Sequence, residues 1–441
     1  MIERTRITTV GIIIAIAAAA CAPTAAASRE AVNVSLSQPV ILAGSSQTVY
    51  LRIGLQVDGE GNYRAPVNLA VVIDRSGSMQ GEKLLRAKEA ARAAISRLHP
   101  DDIVSVVAYD DTVQVLLPAT KVADRTAVLR AIDSLEIGGN TALFAGVSVG
   151  AAELRKFFDR ERVNRVVLLS DGLANVGPAT PAELGALGAS LKKEGISVST
   201  VGLGLGYNED LMVRLAGMSD GNHAFVERPR DLARIFDQEF GDAVSVTAQD
   251  VLVRIDCAEG VRPVRVLGRE AEIAGRSVTV SVNQLYDSRE QYILLELEAP
   301  AGVAGQARRL AGVRWSYRLM TGGSANGWKS ADATYTIDPE QVRAEEDPDV
   351  MVSVVEQIAT ERNRLALDLR DQGRIDDAQE LLLANMIYAR DNAAKYRSQT
   401  LTDVASENEF DAQQIVKEEE WTVQRKSMTE RYLSRSRQKK Q

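Results

Sequence analysis

The chain lacks the excess of positive charge that proteins binding nucleic acid or anionic lipid usually carry. Its 52 lysine and arginine residues are outnumbered by 60 aspartate and glutamate residues, and the formal net charge is −8. This balance gives no general attraction to polyanions, so we predict no nucleic-acid partner. A basic stretch from Arg425 to Lys440 is the exception, and its pattern predicts a solvated helix end or a frayed tail.

Cysteine is also scarce, since Cys21 and Cys257 are the only two among 441 residues. An exported protein with two unpaired thiols would be unusual, and a disulfide between the start and the middle of the chain is not expected. Cys257 ends the stretch VLVRIDC. It continues the alternation of Val251, Val253 and Ile255, so in a strand all four would lie on the same face. We therefore predict that it faces a core as a small buried hydrophobe.

The first residues have the pattern of an export signal. Arg4 and Arg6 precede an apolar run, 7–20, that is too short to span a bilayer comfortably. The segment Ala18-Ala19-Ala20-Cys21 resembles a bacterial lipobox, although Ala18 stands where leucine is usual. The resemblance implies that Cys21 is lipidated and becomes the mature N-terminus. Cleavage after Ala25-Ala26-Ala27 without lipid is the alternative, and either route implies export.

An α/β domain is predicted between Val67 and about Gly241. Strand candidates in this region are the unbroken apolar runs VNLAVVID (67–74), IVSVVAYD (103–110), RVVLLS (165–170) and ISVSTVGL (196–203). Runs of this kind are typical of strands covered on both faces. Helical segments alternate with them, and the first has apolar residues at three- and four-residue spacing, namely Leu84, Ala87, Ala91, Ala94, Ile95 and Leu98. The alternation predicts a doubly wound, mostly parallel sheet.

In the segments on either side of the α/β domain, apolar residues recur at every second position. Val49, Leu51, Ile53 and Leu55 alternate with polar residues, and similar alternation returns between 278 and 319. Such alternation indicates antiparallel strands with one buried face. Because a few strands alone make no stable sheet, we predict one β-sandwich, assembled from both flanks, with the α/β domain inserted between two of its strands.

The chain becomes helical and charged after Glu345. The stretch 366–389 places a glycine-containing turn between two amphipathic segments, and no second copy follows at a fixed period. A short helical hairpin or bundle is therefore favoured over a repeat array. The predicted parts are a leader and tether (1–27), N-terminal sandwich strands (28–66), the α/β domain (67–241), the remaining sandwich (242–340) and the helical region with its basic tail (341–441).

Polar side chains follow the strand ends of the predicted parallel sheet. Asp74 ends the first strand, Ser76 and Ser78 follow in its loop, Thr141 lies in the loop GGNTALFAG, and Asp171 follows RVVLLS. Ligands bind beyond the carboxyl ends of such strands, so these three loops should form one site, with Asp74 at a solvent-facing strand end. Two carboxylates and three hydroxyls are hard oxygen ligands that suit Mg²⁺, or Mn²⁺ or Ca²⁺.

These five positions, in this order, resemble the metal-ion-dependent adhesion site of von Willebrand factor type A domains. The resemblance covers about 67–241, and the flanking β region is similar to that of bacterial lipoproteins with such a domain and of inter-alpha-trypsin-inhibitor heavy-chain-like proteins. It implies that Ser76, Ser78 and Thr141 bind the metal directly, while Asp74 and Asp171 balance its charge, partly through water. It also implies that an Asp or Glu carboxylate of a protein partner completes the coordination.

Features of an enzyme are missing from the sequence. A serine nucleophile needs a general base within hydrogen-bond reach, and the chain has only His99 and His223. Both are expected at the opposite edge of the sheet, as surface or interface residues. Neither serine lies in a Gly-x-Ser-x-Gly motif, and no Gly-Lys-Ser/Thr phosphate loop occurs. The sequence therefore predicts a binding protein rather than an enzyme.

The function predicted from the sequence is divalent-metal-dependent binding of a protein partner at a bacterial envelope. Lipid on Cys21 would hold the chain to the membrane, and Ala22 lacks the aspartate that often retains lipoproteins in the inner membrane, which favours the outer membrane, facing the periplasm or the surface. The alternative is an assembly or scaffold lipoprotein whose C-terminal helices carry the main interaction.

Overall fold

The computed structural model describes residues 31–59 and 63–440, so the predicted leader with Cys21 lies outside the described residues. The strands, in chain order, are β1 (Val32–Leu36), β2 (Val40–Leu42), β3 (Gln47–Leu55), β4 (Val67–Asp74), β5 (Ile103–Tyr109), β6 (Val113–Lys121), β7 (Val163–Ser170), β8 (Ile196–Leu203), β9 (His223–Val226), β10 (Val246–Cys257), β11 (Arg262–Leu267), β12 (Glu272–Ala274), β13 (Ser277–Tyr286), β14 (Glu290–Ala299), β15 (Ala307–Leu319), β16 (Ser324–Thr336) and β17 (Lys439–Lys440).

The helices, in chain order, are α1 (Glu82–Ser96), α2 (Arg125–Asp133), α3 (Leu143–Arg155), α4 (Pro181–Lys193), α5 (Glu209–Met218), α6 (Leu232–Val244), α7 (Pro339–Ala344), α8 (Pro348–Asp371), α9 (Ile375–Tyr396), α10 (Gln399–Gln414) and α11 (Trp421–Ser436). None of the described helices is long and apolar enough to cross a membrane.

The middle of the chain forms a sheet with the strand order β6-β5-β4-β7-β8-β9. Its strands pair in parallel except for β5 with β6, which are antiparallel. Every residue of β4, β5, β7 and β8 is buried, because α1, α2 and α6 cover one face and α3, α4 and α5 the other. This confirms the doubly wound sheet. The edge strand β6 was not predicted, since its half-exposed residues do not form an apolar run.

The flanking strands form two sheets that face each other across a shared apolar core, and their strands pair antiparallel except for β2 with β16, which are parallel. One sheet has the order β1-β3-β14-β11, and the other has the order β12-β13-β10-β15-β16-β2. The strand β3 precedes the α/β domain and β14 follows it, yet the two pair from Gln47 with Ala299 to Leu55 with Gln291. The prediction of a sandwich built from both flanks is therefore confirmed. Cys257 is buried in this core as predicted, and burial raises the pKa of its thiol to about 11.

The α/β domain is joined to the sandwich at neighbouring points of the chain. The backbone N–H of Ala65, just before β4, donates to the carbonyl of Val244, the last residue of α6, at 2.9 Å. A second connection is Arg165 of β7, which is fully buried. Its guanidinium donates to the Gln284 side chain and, at 3.1 Å, to the Tyr286 hydroxyl of β13. The α/β domain is thus held to the sandwich by a buried polar contact as well as by its two ends.

The C-terminal helices begin as a hairpin and continue as a bundle. Gly373, with φ of +79°, makes the turn between α8 and α9 and adopts a conformation that disfavours other residues. The helices α8, α9 and α10 pack on one another, and α8 also packs on the sandwich through Val350 and Val354. The helical region predicted after Glu345 is confirmed, with α7 as an additional short helix before it.

The expectation of a solvated basic tail is wrong. In α11, Arg425 forms ion pairs with Glu209 and Asp210 of α5 and with Asp371 of α8. Lys426 is buried and donates to the carbonyl of Tyr207 at 2.7 Å. Sequence spacing gave no sign of these contacts, because the acidic partners are far away in the chain. Asp371 lies 54 residues before Arg425, and Glu209 lies 216 residues before it. The last helix therefore packs against the α/β domain.

Candidate metal-ion site at the strand ends

Asp74 ends β4 and lies beneath the loop that follows it. The backbone N–H of Ser76 donates to Asp74 Oδ1 at 2.8 Å, and Ser170 Oγ donates to Asp74 Oδ2 at 2.7 Å. Its exposed fraction is 0%, so the expectation of a solvent-facing residue is wrong. The loop turns back over the strand end because the carboxylate accepts the N–H two residues further on, as in an Asx turn. Burial raises the pKa of Asp74 above its ordinary value, and nearby Asp171 acts in the same direction, although hydrogen bonds from Ser76 and Ser170 oppose the rise.

The three predicted hydroxyls converge on Asp171 and Gly172 at the end of β7. Ser76 Oγ and Ser78 Oγ are 3.1 Å apart, and Ser78 Oγ donates to Asp171 Oδ1 at 2.6 Å. A Cβ atom added to Gly172 would lie 3.0 Å from Thr141 Oγ1 and 3.2 Å from Ser78 Oγ. The fold therefore brings all five predicted residues to one place, and glycine at position 172 leaves room for their oxygens.

Lys83 also belongs to this site, and the sequence reading missed it. Its ammonium group pairs with the carboxylate of Asp171 through Oδ2 and donates to the carbonyl of Ser78 at 3.2 Å. The side chain of Lys83 is about one third exposed, whereas that of Asp171 is fully buried. A signal was present, because Lys83 lies in the first turn of α1, directly after the loop that carries both serines.

Backbone hydrogen bonds fix the loops around the site relative to one another. Gly77 N–H donates to the Gly139 carbonyl at 2.9 Å, and Gly138 N–H donates to the Arg75 carbonyl at 2.7 Å. Thr141 N–H donates to Asn175 Oδ1 at 2.8 Å, which links the loop of Thr141 to the loop after Asp171. These hydrogen bonds thus fix the three loops that carry the site residues relative to one another.

Three apolar side chains are exposed on loops at this edge of the sheet, two on the site loops and one on the loop after β8. Leu173 directly follows Gly172 and is 59% exposed, while Ile137 directly precedes Gly138 and is 40% exposed. Leu205 is 47% exposed and precedes Gly206, where an added Cβ atom would lie 3.0 Å from the Asp171 carbonyl. These residues form an apolar rim, defined here as Ile137, Leu173 and Leu205, around the polar site. Exposed apolar groups beside a polar site are typical of an interaction surface.

The donor set fits a hard divalent cation. Among the described residues, no cluster of three or more His, Cys, Asp or Glu side chains is placed to hold a metal ion. The candidate site instead combines two carboxylates with three hydroxyls, and all five are oxygen donors of the kind that Mg²⁺ accepts. The ammonium group of Lys83 already neutralises one of the carboxylates. The residues therefore fit an ion that keeps some water and competes with this lysine.

Neither histidine belongs to the site. His99 is exposed, as expected. His223 was expected on the surface or at an interface, but it is buried in the sheet, where Nδ1 lies 2.9 Å from Thr200 Oγ1 and Nε2 lies 3.3 Å from the Tyr207 hydroxyl. Burial, assisted by the charge of Lys426, lowers the pKa of His223 to about 3, so the ring is neutral at physiological pH. Its hydrogen bonds give it a structural role in positioning Tyr207.

Comparison with known proteins identifies the middle of the chain. Residues 68–238 match the family model of the von Willebrand factor type A domain. The uncharacterized protein sll0103 of Synechocystis sp. is 29% identical over 308 residues, which cover 67% of this chain and 71% of that protein. Human inter-alpha-trypsin inhibitor heavy chain H2 is 28% identical over 180 residues, covering 37% of this chain but only 18% of that protein.

Solved structures show the same fold over most of the chain. A von Willebrand factor type A protein from Catenulispora acidiphila superposes with a TM-score of 0.69, covering 82% of this chain and 87% of that one, at 19% identity. Because identity is this low, the likeness concerns the fold alone.

Proposed function

The chain contains a von Willebrand factor type A domain at residues 68–238, and from this premise we propose that it is a divalent-metal-dependent protein-binding module. Domains of this family typically mediate interactions between proteins. The observation that carries the proposal is the convergence of the Ser76, Ser78 and Thr141 hydroxyls around Gly172, where Ser78 donates to the adjacent carboxylate of Asp171 and Asp74 is buried. Turn formation alone does not require acidic and hydroxyl side chains from three loops to meet.

Each residue of the site has a separate task in this proposal. Ser76, Ser78 and Thr141 would hold a Mg²⁺ or Mn²⁺ ion directly, and Asp74 and Asp171 would balance its charge. Because the direct ligands are neutral hydroxyls, a bound dication stays electrophilic toward a carboxylate of the partner. Neither histidine lies at the site, and the carboxylate that accepts the Ser78 hydroxyl is paired with Lys83, so we propose binding without catalysis.

The apolar rim indicates what surrounds the carboxylate of the partner. Ile137, Leu173 and Leu205 together expose apolar surface that a partner would bury, and burial of apolar surface favours association. We therefore propose that the partner presents an aspartate or glutamate flanked by apolar residues. The carboxylate would provide metal dependence, and the apolar neighbours would provide most of the buried area.

Selection of displayed peptides tests these statements together. A random peptide library is panned on the purified protein in Mg²⁺ and eluted with EDTA. We expect enriched peptides to carry Asp or Glu next to apolar residues, and to bind Thr141→Ala at least about tenfold more weakly, because one ligand of the ion is lost. Thr126→Ala, exposed in the first turn of α2, is the matched control and should bind like the wild type. Peptides that remain bound in EDTA, or that lack acidic residues, would contradict the proposal.

Export and lipid attachment are proposed from the sequence at Cys21. We expect the wild-type protein to sediment with membranes and the Cys21→Ser variant to be soluble or cleaved near Ser28, because the variant has no thiol to acylate. Intact-mass measurement of the wild type should show a diacylglycerol on the mature N-terminus. An unmodified mature chain starting at Ser28 would disprove lipid attachment while leaving export in place.

A scaffold role of the C-terminal helices is the second candidate function. Leu383 and Ile387 lie one turn apart on α9, and both are exposed. Their spacing puts them on one helix face, as in helices that bind a partner. Capture of proteins from native membranes separates the two candidates. Partners lost with Thr141→Ala bind the metal site, whereas partners retained by Thr141→Ala but lost with a Leu383→Ser, Ile387→Ser double variant bind the helices.

A further inference from the structure

Lys83 places a positive charge among the oxygens that would hold the ion. Its ammonium group pairs with Asp171 Oδ2, while Asp171 Oδ1 accepts the hydrogen bond of Ser78 Oγ. The same ammonium group donates to the Ser78 carbonyl at 3.2 Å, and Gly204 lies near the stem of the lysine, since a Cβ atom added there would lie 3.8 Å from its Cε. The lysine is thus part of the built site rather than a surface side chain that happens to lie near it.

Lys83 changes the net charge of the site when an ion is bound. Asp74 and Asp171 together carry two negative charges when both are ionised, and a bound dication would cancel them. Lys83 then leaves the loaded site with one net positive charge. The nearby Arg75 does not alter this sum, because its guanidinium pairs with Asp110 at 3.0 Å. Asp111 is exposed and bound to Asn140, so solvent and salt screen its charge.

We propose that Lys83 is a specificity-determining residue that weakens the site's hold on the dication and strengthens its hold on an acidic partner, an inference that rests on the proposed function. The ammonium group repels an incoming cation and occupies an oxygen of Asp171. Once the ion is bound, the same positive charge attracts the incoming carboxylate and offers it a hydrogen-bond donor. In the metal-free protein Lys83 supplies the countercharge for the buried Asp171, so the site stays formed without an ion.

The experiment compares Lys83→Met with the wild type in two titrations of the full chain. Calorimetry with Mg²⁺ alone should show binding about tenfold tighter in the variant, because a like charge a few ångströms away is removed. Titration of the peptide acetyl-Leu-Asp-Leu-amide in saturating Mg²⁺, followed by NMR, should show binding about tenfold weaker. Lys83→Arg keeps the charge and should behave like the wild type in both. Lys88→Met is the matched control on the same helix, where Lys88 donates to the Asp133 carbonyl, and should change neither.

The opposite directions of the two effects distinguish this role from a structural one. A general loss of folding would weaken both titrations, and that result, or no change in either, would overturn the inference. If Lys83→Met unfolds without metal, saturating Mg²⁺ should restore its fold, and failure to do so also overturns it. A wild-type protein that takes up no Mg²⁺ would instead overturn the proposed function itself.

Discussion

Replacing Asp74 by asparagine should abolish binding of Mg²⁺ at physiological concentration and, at the same time, raise the stability of the metal-free protein. Asparagine has the same shape and can still accept the N–H of Ser76, so the loop keeps its turn. The site loses one of its two carboxylates, and we expect the affinity for Mg²⁺ to fall by about 100-fold or more. The metal-free protein gains stability because it no longer buries a carboxylate whose charge burial disfavours.

The sign of the stability change follows from the pKa of Asp74, which burial raises above its ordinary value of 3.8. The folded state then binds more protons than the unfolded state between these two pKa values. Wild-type stability therefore falls as pH rises from below 3.8 through the raised pKa, and this contribution stays lost at neutral pH. The Asp74→Asn variant lacks this titration, so its advantage should appear above the acid range and vanish at lower pH.

Calorimetry with Mg²⁺ and thermal unfolding in EDTA measure the two effects on the same samples. Asp102→Asn is the matched control, because Asp102 is also buried but accepts the N–H of Val67 at the opposite end of β4. It should bind Mg²⁺ normally and unfold more easily, since a carboxylate paired with Arg64 is lost. An Asp74→Asn protein that binds Mg²⁺ like the wild type would show that the ion, if it binds, is held elsewhere.

Replacing Arg165 by methionine should destabilise the protein by about 3–5 kcal/mol, the range for breaking a buried charged pair. The guanidinium is fully buried and lies 3.8 Å from Glu239 Oε2 of α6. It also donates to Gln284 and Tyr286 of the sandwich, so methionine would remove buried hydrogen bonds and an ion pair that join the two sides of the junction.

Urea unfolding followed by circular dichroism measures this loss, and Arg92→Met serves as the control. Arg92 pairs with Asp133 on the surface, where both side chains are about half exposed, so its loss should change stability by about 1 kcal/mol or less. Equal effects of the two arginine variants would mean that the buried contact does not stabilise the junction.

The sequence predicted the sheet, the sandwich and the location of the five site residues, because each rests on a local pattern. Unbroken apolar runs specify buried strands, and polar residues directly after such runs must gather at one edge of a parallel sheet. Asp74 was nevertheless expected at the surface, since its burial depends on how the loop turns back over it. Lys83 was missed because its reach to Asp171 depends on the angle at which α1 leaves that loop.

Contacts between distant segments account for the remaining errors. The basic residues of α11 looked like a solvated face, since their acidic partners lie on α5 and α8 and no spacing rule connects them. His223 looked like an edge residue, because its position at the start of β9 does not reveal that Tyr207 folds over it. In both cases tertiary packing, rather than local preference, decided the environment of the residue.

The paired entry and exit of the α/β domain determine how a pulling force would pass through the molecule. The site lies at the carboxyl end of β4, whereas Ala65 and Val244, joined by a hydrogen bond, lie side by side near its opposite end. Tension applied by a bound partner would cross the sheet along its strands and leave through two chain connections that share it. Because its two ends lie side by side, such a force would not pull them apart, and the domain would not unfold from its ends. The insertion thus lets the domain resist traction as one body, while the sandwich carries the force onward.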